Sequence, residues 1–63
     1  MTATFESELR ALIEANRARA LWSMPRDYFP ADDAGARRVL EKIAARGDRA
    51  TWIRARRMLR ELE

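Results

Sequence analysis

The sequence predicts an all-α fold, a small three-helix domain, from three observations. Apolar side chains recur at spacings of three and four residues in three separate stretches, the pattern of helices that each bury one face. Pro25 and Pro30 bracket an aromatic segment that cannot continue a helix. Gly47 and Asp48, a helix stop followed directly by a helix cap, separate the second stretch from the third.

The first helix is expected over about 5–22, where Phe5, Leu9, Leu12, Ile13, Asn16 and Ala20 fall on one face. Thr4 is the expected N-cap, and Glu6 and Glu8 place negative charge in the first turn, where the helix dipole favours it. Glu6 and Arg10 are spaced for an i,i+4 ion pair. At about 1.5 Å per residue the helix would reach about 27 Å, more than one short helix covers, so part of its stripe is expected to face another chain. Asn16 lies within that stripe. It either sets register between packed helices or is satisfied locally, at the margin or by the following loop.

Residues 21–30 hold three of the five aromatics and both prolines, and form a Pro-bounded aromatic linker. Arg26 and Asp27 suit a turn, which lets Trp22, Met24, Tyr28 and Phe29 fold back over the helices. The alternative use of Trp22, Tyr28 and Phe29 is as anchors for a partner, because aromatic side chains are enriched at interface centres.

The second helix is expected over 32–46, capped by Asp32 or Asp33, with Ala36, Val39, Leu40, Ile43 and Ala44 as its buried stripe. Gly35 either weakens the first turn or admits a second backbone close by. Gly47 is expected to end the helix in a left-handed conformation. Asp48 then caps a third helix over 49–62, and so short a corner makes helices two and three an angular pair. Trp52, Ala55, Met58, Leu59 and Leu62 are its expected buried face, so that Trp52→Ala would unfold the domain. The opposite face carries Arg49, Ile53, Arg56, Arg57 and Arg60, with Glu61 as the one partner for Arg57 within the helix.

The 63 residues form one domain with a marginal core. With no cysteine and no histidine, neither a disulfide nor a Cys/His metal site can reinforce it, which leaves close helix packing or association with another chain, a homo-oligomer included. The 13 basic and 10 acidic side chains divide unevenly. Residues 1–24 and 25–48 balance, three against three and five against five, while residues 49–63 carry five arginines against two glutamates. All of the net +3 therefore resides in the last helix. No basic and apolar leader opens the chain and no apolar run approaches the roughly 18–20 residues of a membrane span, which places the chain in the cytoplasm as an expectation.

Several functions lack their chemistry. An enzyme is not expected: no histidine or cysteine supplies a base near neutral pH or a thiolate, and no glycine-rich loop cradles a phosphate. No cofactor, metal or small-molecule substrate is expected. A helix-turn-helix is disfavoured, because Ile43 stands where that motif wants a small residue and Asp48 and Arg56 stand where it wants apolar ones. The expected function is protein interaction, as a homo-oligomer or as a small subunit or regulator of another protein, with the arginine face complementing acidic groups. The alternative is nucleic-acid binding by the same arginines, in the manner of a small basic antitoxin or transcription accessory.

Overall fold

The computed structural model describes residues 2–20, 24–25 and 28–62, with the backbone alone for Arg19 and Ala20. Three helices follow in order, α1 over Ala3–Ala20, α2 over Asp33–Arg46 and α3 over Arg49–Glu61, and no strand occurs among the described residues. The chain is thus a small all-α protein. None of its helices is long and apolar enough to cross a membrane among the described residues.

Each helix start is set by a short polar side chain. For α1 the cap is Thr2 rather than Thr4. The Thr2 hydroxyl accepts from the Phe5 amide at 3.1 Å, and the Thr2 carbonyl accepts from the Glu6 amide at 2.9 Å. Either threonine satisfies the cap chemistry, and starting two residues earlier gives Phe5 a helical position from which it packs into the core. Asp32 caps α2 by accepting from the Gly35 amide at 2.8 Å, and Asp48 caps α3 by accepting from the Thr51 amide at 2.9 Å. Residues 21 and 22, expected to close the first helix, lie outside the described residues.

Gly47 ends α2 differently from the expected left-handed stop. Its backbone is extended, with φ −82° and ψ 171°, and its amide donates to the Ile43 carbonyl at 2.8 Å. Glycine is needed here for room: a Cβ would come within 2.6 Å of Thr51 Cγ2 and 2.9 Å of the Ile43 carbonyl oxygen. The next helix begins so soon that its first turn fills the space a side chain would take.

One core joins the three helices. Phe5, Leu9, Leu12 and Ile13 of α1, Ala36, Val39, Leu40 and Ile43 of α2, and Ala55, Met58 and Leu59 of α3 are all buried. α2 packs against both other helices and makes its most extensive contact with α3. Met24, Tyr28, Phe29 and Leu62 are half-buried against the same cluster. The α1 stripe expected to face another chain is thus buried within this one from Phe5 to Asn16, while the side chain of Ala20 lies outside the described residues. The Cα radius of gyration, 10.4 Å, is close to the about 10.6 Å expected of a compact chain of this length.

Asn16 is buried in that stripe and satisfied locally, its side-chain amide donating to the Leu12 carbonyl one turn back at 2.9 Å. That bond stays within α1. Arginines of α1 fix the linker instead. The Arg10 guanidinium lies over the Phe29 ring, 4.3 Å from its centre, rather than pairing with Glu6, and Arg17 donates to the Pro25 carbonyl at 3.5 Å while pairing with Glu14. The hydrogen bond and charge of Arg17 hold the Glu14 carboxyl below the usual carboxylate range. The Tyr28 amide donates to the Pro25 carbonyl at 3.0 Å, and Pro30 is buried against Gly35, where a Cβ would meet the proline ring at 3.1 Å. Arg26 and Asp27, the expected turn pair, lie outside the described residues.

The expected burial of Trp52 is overturned: its side chain is 49% exposed. At about 100° per residue, position 52 lies about 20° from buried Leu59, about 40° from exposed Arg56 and about 60° from Ala55, at the edge of the buried arc rather than within it. The arc of α3 that α2 covers, marked by Ala55, Met58 and Leu59, stops short of it.

Two stability outcomes follow, both read by urea denaturation monitored by circular dichroism. Leu40→Ala should cost about 2–5 kcal/mol, as removal of a fully buried leucine does, while Trp52→Ala should cost less than about 1 kcal/mol. Equal losses would contradict this assignment of the core. Gly47→Ala should cost about 1–3 kcal/mol from overpacking at the corner, and a neutral effect would mean that the first turn of α3 yields freely.

Candidate functional site

α3 presents its arginines outward because Ala55, Met58 and Leu59 turn the opposite side of the helix into the core. Arg49, Ile53, Arg56, Arg57 and Arg60 are each exposed. Four of these five expected residues come together: Ile53, Arg56, Arg57 and Arg60 line one open depression of about 420 Å³, and Trp52 joins them. Arg49 is exposed at the start of the helix, outside that lining. Trp52 and Ile53, 49% and 51% exposed, are the large exposed hydrophobic side chains among the described residues, and they are adjacent in sequence.

The depression is therefore lined by two apolar side chains and three arginines. Arg56 leans toward Trp52, its guanidinium carbon 6.0 Å from the ring centre, at the outer limit of a cation–π contact. Arg57 reaches across to α1 and donates to a Glu8 carboxylate oxygen at 3.2 Å, so its partner is Glu8 and not the expected Glu61. A pair this exposed contributes little to stability, about 0–1 kcal/mol. Arg56 and Arg60 have no ion-pair partner among the described residues.

A second depression of about 310 Å³ lies on the α2 side of the same two arginines, lined by Arg37, Glu41, Arg56, Leu59 and Arg60. Arg56 and Arg60 thus form a ridge between an apolar hollow and a polar one. A third hollow, about 410 Å³, is lined by Thr2, Phe5, Asp33, Glu61 and Leu62, where the starts of α1 and α2 meet the end of α3. It lacks both an exposed large hydrophobic side chain and a cation.

The aromatic residues expected as anchors divide differently. Tyr28 and Phe29 are half-buried on the core, with the Phe29 ring under Arg10. Trp22 lies outside the described residues. The site residue that sequence periodicity missed is Trp52, assigned to the core because a tryptophan beside an apolar stripe usually belongs there. Periodicity carried no clear signal for its exposure, because position 52 lies about 20° from buried Leu59 and about 40° from exposed Arg56 on the helix. Arg37, Glu41 and Glu8 carry no sequence signal linking them to α3, because only packing brings them there.

Among the described residues no group of three or more acidic, cysteine or histidine side chains is placed to hold a metal ion. Compared with known proteins, the chain matches no family model, no curated protein and no solved structure.

The position of Trp52 has a direct optical consequence. In a Trp22→Phe background, where Trp52 is the one tryptophan, its fluorescence should be readily quenched by acrylamide in the native chain. Quenching no faster than that of a buried indole would mean that Trp52 is not at the surface.

Proposed function

We propose that this chain is a small non-enzymatic protein-interaction module that binds another protein through the outer face of α3. The observation behind the proposal is the pairing of Trp52 and Ile53, exposed side by side, with Arg56, Arg57 and Arg60 around them. Tryptophan and arginine are the side chains most enriched at interface centres, where an apolar contact excludes water around a charged one. A solvated helix face needs neither an exposed tryptophan nor an adjacent isoleucine. The absence of histidine and cysteine from the sequence supports the non-enzymatic part, and a cysteine-free chain suits the reducing cytoplasm in which we place it.

The occupant is taken to be a different protein rather than a second copy. Two-fold docking of this face on itself would bring Arg56, Arg57 and Arg60 against the same three arginines, and like charges opposed across an interface are costly. Nucleic-acid binding is the second reading, favoured by the same arginines and by an exposed ring on which a base can stack. The two differ in salt response: phosphate contacts release counterions and weaken steeply with salt, while contacts made by Trp52 and Ile53 do not.

The test places a photoreactive residue at position 53 and, as a control, at exposed Ala45 on α2, followed by irradiation in cells and digestion with protease or nuclease. A protease-sensitive adduct at 53, lost on Trp52→Ala and absent at 45, is the expected result. A nuclease-sensitive adduct, or no adduct at 53, would overturn the proposal. Sedimentation equilibrium of the purified chain should give a monomer, and a dimer dispersed by Ile53→Glu would replace the foreign partner by the chain itself.

A further inference from the structure

Resting on the proposal that the α3 face binds a protein, we infer that its ligand is an acidic amphipathic helix, with Glu8 as a built-in competitor for one of the arginines. Three features of the surface specify that chemistry. The apolar hollow is lined in part by Trp52 and Ile53, and an aliphatic side chain uses both, whereas a nucleobase stacks on the tryptophan alone. Arg56 and Arg60 are one helical turn apart, a spacing of about 6 Å that matches carboxylates three or four residues apart on a facing helix. Beyond the ridge the polar hollow adds Arg37, so a second row of carboxylates finds a cation there. Arg37, Arg56 and Arg60 have no ion-pair partner among the described residues, and a guanidinium group pairs bidentately with a carboxylate.

Glu41 in the polar hollow separates this ligand from a nucleic-acid backbone. A continuous string of phosphates crossing the ridge would meet that carboxylate, whereas a helix can place a neutral or basic side chain against it and keep its acids on the arginines. The chain also displays the proposed recognition in its own structure. Glu8, a carboxylate on the exposed face of α1, is bound to Arg57 at 3.2 Å. A partner carboxylate aimed at Arg57 must displace Glu8, so the cationic face is partly self-occupied in the free protein.

The experiment is a display selection of helical peptides of about 18 residues on the full chain. The library keeps a leucine stripe and randomises the flanking positions among Glu, Gln and Lys. Enrichment of Glu over both alternatives, at pairs three or four residues apart, is the expected result. The best peptide, measured by fluorescence anisotropy, should bind about tenfold or more weakly to the folded variant R56A/R60A and to Trp52→Ala. It should bind Glu8→Gln about two- to fivefold more tightly, the range an exposed ion pair spans. Selection of Gln or Lys, absence of any enriched peptide, or unchanged affinity on Glu8→Gln would overturn the inference. So would a 20-nucleotide single strand that binds more tightly than the best peptide and loses that binding in R56A/R60A. Failure here together with a protein adduct at position 53 would leave the interaction module standing with a partner of other chemistry. Failure of both would remove the module itself.

Discussion

The apolar stripe of α2 is the surface on which the other two helices rest. Ala36, Val39, Leu40 and Ile43 have no exposed area, and full burial of a Val, Leu or Ile side chain contributes about 1.5–3 kcal/mol relative to exposure. In a chain of 63 residues without disulfides, no other part of the structure could replace that contribution. Both ends of the stripe are fixed locally. Asp32 caps its start, where Gly35 lets Pro30 lie close, and Gly47 closes its end by donating to the Ile43 carbonyl. These short-range contacts make α2 a rigid centre for the fold.

What the other helices leave exposed follows from how they meet that centre. α1 is longer than α2, and the linker residues Met24, Tyr28 and Phe29 pack against the same core. Arg10 and Arg17 are spent on holding the linker, one over a ring and one at a carbonyl. α3 meets α2 along a narrow arc with small and flexible side chains, Ala55 and Met58, at its middle. A narrow arc leaves the adjoining positions outside, and one of them is Trp52. Arg10 and Arg17 of α1 thus contact the linker, while Arg56 and Arg60 of α3 have no ion-pair partner among the described residues. That contrast leaves an exposed cationic face on α3, marked by neither an irregular loop nor an enclosed cavity.

Much of the fold was legible in the residues because it depends on local chemistry. The caps Asp32 and Asp48, the break at the prolines, the stop at Gly47 and the stripes of α1 and α2 are all written in spacings of four residues or fewer. The exposure of Ile53 and its arginine neighbours followed from the same periodicity. Where local chemistry allowed two answers, the sequence could not choose. Thr2 and Thr4 cap equally well, and packing of Phe5 decides for Thr2. Gly47 can close a helix left-handed or extended, and the immediate start of α3 against Thr51 favours the extended form.

By itself, then, the sequence determined three helices, their order, the aspartate caps of the last two and the concentration of net positive charge on the last of them, because each depends on residues within one or two turns of one another. Tertiary structure alone decided that Trp52 faces outward, that Glu8 meets Arg57 and that Arg37 stands across the ridge from Ile53. The width of the arc that one helix covers on another, and which side chains come together from residues 8, 37 and 57, are set by how whole helices pack. No periodicity within a single helix carries that information.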